Sequence, residues 1–432
     1  MPRQMNDSGL QWVGKIPVEW EVAPLYSTVR QVKNLNVGNR ERNLLSLSYG
    51  RIKRKDIDTA TGLVPASYAG YNIIESGDIV LRLTDLQNDK KSIRVGLSKE
   101  RGIVTSAYVT IRPSGKASPD YLAYSILAFD IAKGFYGIGS GVRQGLTYDE
   151  VKKLKFQFPP LPEQEAIAAF LDSVTGKIDA LRGKLKREID RFEDYKKSAI
   201  TKAVCHGLDP KAKMKDSGIP WVGKVPECWT VQRIESCFRE VTQTNTSGKI
   251  TKALKFCFGE IVPKENFDPN EDAYVAETIS KYTIALPHDI MVNGLNLNFD
   301  LVSLRVAQVR EEGVITSAYI AIRLRDERTI DPFYVKYLLK SYDYSKALHN
   351  MGRGVRKILT YKELKKHKLI FPPLPEQREI AAHIDTMVGR VNAIVEKRKR
   401  QLDALDKLKR TVVYDYVTGK REVPLPKGGR SR

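Results

Sequence analysis

The feature that most constrains this chain is that its sequence is written twice. The segment from Asp7 to Val22 (DSGLQWVGKIPVEWEV) returns from Asp216 to Val231 (DSGIPWVGKVPECWTV), with 10 of 16 residues identical. Two further blocks return in the same order: 102–112 as 313–323 with 7 of 11 identical, and 136–172 as 349–385 with 22 of 37 identical. The offset between copies rises only from 209 to 213. Units of about 210 residues are too long for a solenoid repeat and indicate a duplicated domain.

Each copy has the same internal plan. Short apolar strands alternate with turn residues, as in NLLSLSYG, SGDIVLRL, IRVGL and GIVTSAYVTIRPSG of the first copy. A short amphipathic helix follows, PDYLAYSILAFDIA in one copy and DPFYVKYLLKSYDYSKAL in the other. An FPPLP segment should then end regular structure, because prolines lack an N–H donor and push the preceding residue into extended conformations. The pattern predicts an α+β domain with a curved β-sheet and short helices in each copy.

A long helix is predicted after each FPPLP segment. No proline occurs from Glu163 to about Val204, and apolar residues recur there in alternate steps of four and three. The stripe comprises Ile167, Leu171, Val174, Ile178, Leu181 and Leu185, and the second copy matches it with Ile380, Ile384, Met387, Val391 and Ile394. This is heptad spacing. A helix of some 40 residues is about 60 Å long, too long to bury its stripe against its own small domain. We therefore expect the two helices to pack on each other, with Leu181 and Val391 in the seam; a helix buried alone is the alternative.

The charge balance favours a polyanionic partner. Lys and Arg number 72 against 51 Asp and Glu, a net charge of +21. The two predicted helices contribute only +3 of this, so the excess lies mainly in the two α+β domains and the C-terminal tail. Nucleic acid is the first candidate for such a partner, and a merely basic protein is the alternative.

Other compositional features exclude several classes. No apolar run approaches the roughly 20 residues of a membrane span, and the N-terminus lacks the apolar core of a signal peptide. The four cysteines form no CxxC pair, which indicates reduced thiols and a cytoplasmic location. The five histidines are scattered, so no metal site is predicted.

Two segments superficially resemble methyltransferase signatures. FYGIGSG (135–141) is similar to a glycine loop that binds S-adenosylmethionine, but such a loop must join a buried strand to a helix, and here a helical segment precedes it. DPFY (331–334) lacks the second proline of the amino-methyltransferase signature, and its counterpart SPDYL is typical of a helix N-terminus. We therefore predict no catalytic residue, no cofactor and a non-catalytic protein.

The doubled pattern resembles the specificity subunit of type I restriction-modification systems. The resemblance covers nearly the whole chain: WVGKIPVEW and WVGKVPECW, the GDIVLR and TSAY strands, and PPLPEQ followed by a long helix in both copies. It implies two target-recognition domains (1–160 and 208–373) that each read half of a bipartite double-stranded DNA site. It also implies an antiparallel coiled coil (161–207 and 374–432, the latter with the basic tail) that sets the spacing.

The same resemblance implies the partners. The coiled coil would dock two copies of a DNA adenine methyltransferase subunit, and restriction subunits with motor and nuclease activity would complete the assembly. Two tandem domains joined by antiparallel helices acquire an approximate two-fold axis, which suits half-sites about one DNA turn, roughly 34 Å, apart. The alternatives are a related two-subunit system with a fused nuclease–methyltransferase, and a coiled-coil scaffold without a DNA role.

Candidate DNA-contacting residues lie where the copies diverge between matching strands. The segment from Arg82 to Arg94 aligns without a gap on the segment from Asn293 to Arg305. Arg suits guanine, and Asn or Gln suits adenine, in the major groove. The candidates in the first copy are Arg82, Gln87, Asn88, Lys90, Lys91 and Arg94, and those in the second are Asn293, Asn296, Asn298 and Arg305. Drifting surface loops would diverge in the same way.

Two further sets of basic residues are candidates for phosphate contact. Arg51, Lys53 and Arg54 form a basic run, for which a solvated face is the alternative. Arg143 and Arg356 occupy the same place in the doubled GxGVR turn, which suggests phosphate binding or support of the fold in both copies.

Overall fold

A computed structural model describes residues 3–48, 50–58, 65, 67–86, 93–138, 145–265, 273–298, 304–352, 354 and 357–423. Contacts divide the chain into two compact units. The first unit is Met1–Leu185 with Lys399–Arg432, and the second is Lys186–Arg398. Each unit contains one globular part and one half of each of two long helices.

The globular part of the first unit is built from short antiparallel strands and short helices. Its strands are β1 (Met5–Asp7), β2 (Lys15–Pro17), β3 (Glu21–Pro24), β4 (Val29–Gln31), β5 (Leu45–Ser48), β6 (Arg51–Arg54), β7 (Asn72–Ile74), β8 (Ile79–Leu81), β9 (Val95–Leu97), β10 (Gly102–Val104), β11 (Val109–Pro113) and β12 (Lys155–Phe158). Its helices are α1 (Pro119–Ile131) and α2 (Tyr148–Val151), and the long helix α3 (Leu161–His206) follows. A four-stranded sheet has the order β4-β11-β8-β9, and the other strands form the pairs β1-β2, β3-β12, β5-β6 and β7-β10.

The second unit repeats this plan. Its strands are β13 (Met214–Asp216), β14 (Lys224–Pro226), β15 (Thr230–Arg233), β16 (Phe238–Glu240), β17 (Leu254–Cys257), β18 (Glu260–Pro263), β19 (Thr283–Ala285), β20 (Ile290–Val292), β21 (Val306–Gln308), β22 (Gly313–Ile315), β23 (Ile320–Leu324) and β24 (Lys368–Phe371). Its helices are α4 (Ile234–Cys237), α5 (Ala273–Ser280), α6 (Pro332–Tyr344), α7 (Tyr361–Leu364) and the long α8 (Leu374–Val417). The sheet order β16-β23-β20-β21 matches that of the first unit. The predicted α+β class with two tandem domains and two long helices is confirmed.

The segment that resembled a methyltransferase signature is a helix cap. The side chain of Asp331 accepts hydrogen bonds from the backbone N–H groups of Phe333 (3.0 Å) and Tyr334 (2.9 Å) at the start of α6. Pro332 occupies the first turn, where its missing N–H costs nothing. α1 likewise begins with Pro119 in its first turn. The sequence DPFY therefore begins a helix.

The FPPLP segments interrupt regular structure over fewer residues than predicted. α3 begins at Leu161 and α8 at Leu374, so Pro162 and Pro375 lie within the first helical turn. Proline is tolerated there because that N–H has no partner within the helix. The last two residues of FPPLP thus begin each helix, and only the preceding prolines interrupt regular structure.

The Glu–Gln pair that follows FPPLP joins each helix to its domain. The Oε1 atom of Gln164 accepts the N–H of Ser118 (2.9 Å), and its Nε2 atom donates to the carbonyl of Pro159 (2.8 Å). Gln377 makes the equivalent bonds to Asp331 (2.9 Å) and Pro372 (2.8 Å). Both side chains are buried, and each connects two loops to the start of a helix through these hydrogen bonds.

The preceding glutamates bind a tryptophan of their own domain. Trp20 Nε1 donates to Glu163 (3.2 Å), and Trp229 Nε1 donates to Glu376 (3.1 Å). These bonds connect the opening WVGK segment of each copy to its PPLPEQ segment. The repeated motifs on which the family resemblance rests are therefore joints of the fold.

The helices pair antiparallel within each unit. In the first unit Asp179 binds Lys409 (2.8 Å) and Arg182 binds Asp406 (2.7 Å), so positions on α8 fall as positions on α3 rise. In the second unit Glu188 binds Arg398 (3.0 Å) and Lys196 donates to Asn392 (3.1 Å). The predicted helix–helix packing is present in both units.

The seam differs from the predicted stripe. Val391 is buried as expected, at 5% exposure, but Leu181 is 52% exposed, so its placement in the seam was wrong. The neighbouring residue Arg182 faces α8 instead, and in the second unit Lys196 faces Asn392 while the adjacent Tyr195 is 56% exposed. Long basic side chains can cover a seam with their stems while their heads find a partner. A stripe drawn from apolar residues alone therefore placed Leu181 in the seam where the structure has Arg182.

Each globular part also holds the end of the helix that comes from the other copy. Tyr121 Oη lies within hydrogen-bonding distance of the carbonyl oxygens of Gln157 (3.1 Å) and Val417 (3.2 Å). In the second unit Tyr334 Oη lies 3.1 Å from Val204 O and 3.2 Å from Ile370 O.

No helix in the described part of the chain has both the length and the apolar character that a bilayer span requires.

Candidate nucleic-acid interface

The divergent segment of the first unit is held by one buried arginine. The guanidinium of Arg94 donates to the carbonyl oxygens of Arg82 (3.1 Å), Thr84 (2.7 Å) and Asp85 (3.2 Å). Its backbone N–H donates to Asp130 on α1 (2.7 Å). Because one rigid planar group serves three carbonyls, it fixes the path of residues 82–85, where the chain leaves β8. We call residues 82–94 the first loop and residues 293–305 the second loop.

The second loop is held in the same way. Arg305 donates to the carbonyl oxygens of Asn293 (3.1 Å), Leu295 (2.7 Å) and Asn296 (3.4 Å), and its N–H donates to Asp343 (2.5 Å). Burial raises the pKa of Asp343.

Both loops also use a left-handed residue at the equivalent position. Asp85 has φ 58° and Asn296 has φ 52°, a conformation that these two residue types tolerate. The described parts of the loops thus share one backbone path.

Two predicted DNA contacts are corrected by this geometry. Arg94 and Arg305 are both fully buried, and their guanidinium groups are occupied by loop carbonyls. They cannot reach a duplex, so their prediction as DNA-binding residues was wrong. They position the loops. Divergence between matching strands signalled the loops correctly, but it did not separate the residues that hold a loop from those that it presents.

The remaining described candidates lie on the loops with graded exposure. Asn296 and Asn298 are exposed, and Arg82 and Asn293 are partly buried. The side-chain oxygen of Asn293 accepts the N–H of Leu295 (3.1 Å). Gln87, Asn88, Lys90 and Lys91 lie outside the described residues.

The chain just before α2 and α7 meets the loop of its unit. Leu146 N–H donates to Leu83 O of the first loop (2.9 Å), and Leu359 N–H donates to Gly294 O of the second loop (2.9 Å). A Cβ on Gly294 would lie 2.3 Å from Leu359 O, so only glycine permits this approach. The bonds place the residues that follow each GxGVR segment beside the loop. Residues 139–144 of the first copy, with Arg143, and Arg356 of the second copy lie outside the described residues.

The β5–β6 hairpin supplies the basic run of the first unit. Lys53 and Arg54 are exposed, and Arg54 donates to Glu100 (2.7 Å), whose pKa that bond lowers. Arg51 forms an ion pair with Asp179 of α3, which Lys409 also contacts. Surface ion pairs of this kind contribute little to stability. Arg51 and Arg54 thus each have a carboxylate partner within the protein, and all three basic residues stay predictions for phosphate contact.

Sequence reasoning missed exposed apolar residues on the long helices. Leu181 and Leu408 of the first unit are 52% and 49% exposed, and Tyr195 and Ile394 of the second unit are 56% and 38% exposed. Each immediately precedes a seam residue, which places both members of a pair on one edge of an antiparallel helix pair. Leu181 corresponds to Ile394, and Tyr195 to Leu408, at the repeat offset of 213. That coincidence was visible in the sequence once the seam was known.

The described residues hold no group of three His, Cys, Asp or Glu side chains that could bind a metal ion. The segment that precedes 139–141 is a short 3-10 helix, Gly134–Gly137, which follows α1. The strand that a nucleotide-binding glycine loop would follow is therefore not the preceding element.

Comparison with known proteins gives a consistent result. The family model for the type I restriction modification DNA specificity domain matches residues 56–191 and 307–404, more than half of the chain. The MjaX type I restriction enzyme specificity subunit of Methanocaldococcus jannaschii is 24% identical over 95% of this chain and 96% of its own length. The StySPI specificity subunit of Salmonella potsdam is 20% identical over 94% of this chain and 90% of its own length.

A solved structure shows the same fold. It comes from work on complex assembly and conformational transition of the type I restriction-modification system, and its TM-score to this chain is 0.67 at 16% identity. The alignment covers 94% of this chain and 99% of that one. With the family model matching both copies, the chain belongs to the type I restriction-modification specificity subunits, which are non-catalytic DNA-recognition components.

Proposed function

We propose that this chain reads an asymmetric bipartite site in double-stranded DNA. The recognition domain at 1–160 reads one half-site, and that at 208–373 reads the other. The observation that carries the proposal is the pair of matched loops. In each unit a buried arginine holds the described part of its loop in the same way, while the side chains at equivalent positions differ, as Arg82 and Asn293 do. Two loops with the same support and different side chains are suited to reading two half-sites of different sequence.

The second loop favours adenine-containing sequence. Asn296 and Asn298 are exposed on it, and an asparagine amide can accept and donate to the N6 and N7 edge of adenine in the major groove. The first loop offers Arg82 at the position of Asn293, and arginine suits guanine. Because the arginine clamp holds residues 82–85 and 293–296, little ordering entropy at these residues opposes binding.

Phosphate contacts position the domains. The two long helices account for only +3 of the net charge of +21, so the recognition domains and the tail supply the positive potential. Lys53 and Arg54 are exposed candidates in the first domain. We expect the affinity to fall steeply with salt, because each neutralised phosphate releases counterions.

Two methyltransferase subunits dock on the helices, in this proposal. The exposed apolar pair Leu181 and Leu408 has an equivalent in Tyr195 and Ile394. Exposed apolar residues at repeat-related positions offer one partner two similar places to bind. Restriction subunits would join the assembly through the methyltransferases.

Stoichiometry tests the docking faces. Native mass spectrometry with the partner methyltransferase should show two copies on the unaltered chain. Leu181→Asp with Leu408→Asp should leave one copy, whereas Tyr26→Asp, an exposed residue away from the helices (62%), should leave two. Retention of both copies by the double variant would reject these faces.

Methylation mapping tests the function as a whole. With the partner methyltransferase supplied, sequencing should show methylated adenines in one asymmetric bipartite site. A heptad inserted after Leu185 and another after Arg398 should preserve the seam and lengthen the spacer by about three base pairs, since seven residues rise about 10.5 Å and a base pair about 3.4 Å. Unchanged spacing would contradict the helices as the element that sets the distance.

The same preparation separates the alternatives. A scaffold without a DNA role would show no salt-dependent DNA binding. A related two-subunit system would show nuclease and methyltransferase activity on one partner polypeptide.

A further inference from the structure

The turn between β17 and β18 contains an aromatic residue in a conformation that aromatics avoid. Cys257 pairs with Glu260, so the turn consists of Phe258 and Gly259 alone. Their φ angles are 48° and 76°. A two-residue hairpin turn with both φ angles positive favours Asn–Gly, because a bulky side chain is strained in the left-handed region.

Phe258 is also the most exposed large apolar side chain in the described part of the chain, at 88%. The ring therefore gains little from packing, while the backbone beneath it is strained. Residues kept in sparsely populated conformations concentrate at binding and catalytic sites. A solvent-facing phenylalanine at a strained turn suggests that a partner covers the ring.

The position of the tip indicates which partner. A Cβ on Gly259 would lie 2.8 Å from Leu304 Cβ, so the tip packs directly against the residue that precedes the clamp Arg305. The hairpin thus borders the second loop.

Its charge suits DNA. Glu260, two residues after Phe258, is bound by Arg310 (2.8 Å) and Lys340 (3.2 Å), so two cations accompany this carboxylate. Lys255 on β17 is exposed as well.

We propose that the Phe258 ring makes an apolar contact with bases of the second half-site, either by entering a base step or by covering a thymine methyl group. The inference rests on the proposed reading of DNA by the second loop. The first unit has a parallel in sequence: Tyr49 and Gly50 separate the paired residues Ser48 and Arg51, and Gly50 also has a positive φ of 76°. Tyr49 itself lies outside the described residues.

The variant Phe258→Asn tests this without endangering the fold. Asparagine suits the turn better than phenylalanine, so the melting temperature should not fall. The full chain with its methyltransferase would select from duplexes with a random core. The unaltered protein should enrich a bipartite sequence. Phe258→Asn should lose preference at positions of the second half-site only and bind the enriched duplex about tenfold more weakly.

A matched control and two probes complete the experiment. Phe333→Asn alters another exposed phenylalanine (43%) on α6 and should change neither affinity nor sequence preference. Increased 2-aminopurine fluorescence on binding supports insertion at a base step, and weaker binding after thymine-to-uracil replacement supports the methyl contact. An unchanged enriched sequence and affinity for Phe258→Asn would overturn the inference.

Two further outcomes are distinct. Loss of methyltransferase binding with DNA binding retained would identify the ring as a protein contact and overturn the inference. Failure of the unaltered protein to enrich any bipartite sequence would contradict the proposed function itself.

Discussion

The first and second loops differ in what they present and agree in how they are held. Arg94 and Arg305 each donate to three carbonyl oxygens of their loop, with corresponding bonds agreeing within about 0.2 Å. The side chains at equivalent positions of the two loops, however, share little: Arg82 corresponds to Asn293, and Thr84 corresponds to Leu295. The duplicated fold has thus separated support from recognition. Side chains on the loop surface can change without disturbing the backbone that carries them.

The strongest test of this comparison is removal of a clamp. Arg305→Met leaves three loop carbonyls without their donor inside the protein, and we expect a cost of about 3 kcal/mol in the stability of the second unit. Arg94→Met should cost at least as much, because Arg94 also donates to Tyr136 Oη (3.2 Å). Hydrogen exchange should accelerate at Asn293 and Leu297 in the first variant. Arg310→Met, an exposed control, should change neither; equal effects of the two second-unit variants would contradict the clamp.

A second contrast lies in the helix seam. Val391→Glu would bury an unpaired carboxylate, and we expect about 3 kcal/mol of destabilisation. Leu181→Glu and Ile394→Glu alter exposed residues at equivalent positions, so each should change stability by no more than about 0.5 kcal/mol. Urea denaturation of the three variants measures the difference. A large effect of Leu181→Glu would show that the sequence-based stripe, and not the observed seam, is correct.

The seam also shows where sequence reasoning reached its limit. Heptad spacing predicted both helices, their pairing and the burial of Val391. It chose Leu181 over Arg182 because a hydrophobic count ignores the aliphatic stem of arginine and the partner that accepts its head. That partner, Asp406, is more than 200 residues away in the sequence. Long-range ion pairs of this kind cannot be recovered from the local pattern.

The candidate site divides in the same way. Comparing the two copies located the loops and the GxGVR turn, and in the second unit the structure brings Gly352 of that turn within contact distance of Leu297 on the second loop. The comparison did not reveal that Arg94 and Arg305 point into the protein, because an arginine that reads guanine and one that serves carbonyls look identical in sequence. It also passed over Phe258, although an aromatic–glycine pair between two strands is an unusual hairpin turn.

A smaller effect is expected at the tryptophan joints. Glu163 binds Trp20 and also Arg3 (2.5 Å and 2.9 Å), whereas Glu376 binds Trp229. Burial raises the pKa of Glu376, so ionisation of this carboxyl opposes folding. The free energy of unfolding should therefore fall as the pH rises above the ordinary pKa of a glutamate.

Exchange of each glutamate for glutamine tests the difference. Glu376→Gln keeps an oxygen for Trp229 and removes the cost of ionisation. At pH 7 its melting temperature should therefore lie slightly above that of the unaltered protein, and the difference should be smaller at pH 4. Glu163→Gln loses the Arg3 ion pair and should lower stability at pH 7 by about 1 kcal/mol. Identical pH profiles for the two variants would contradict the assignment of different surroundings.

The central claim, that each loop reads its own half-site on a shared support, is tested most directly by changing one loop surface and mapping methylation. The variant Asn296→Gly with Asn298→Ala removes both exposed amides, and glycine tolerates the left-handed backbone at residue 296 (φ 52°). It leaves Asn293, Leu297 and Arg305 in place, so the second loop should keep its path. With the partner methyltransferase supplied, genome-wide sequencing of methylated adenine should show an altered or relaxed second half-site, with the first half-site and the spacer unchanged. Changes in both half-sites, or an unaltered second half-site, would contradict the account.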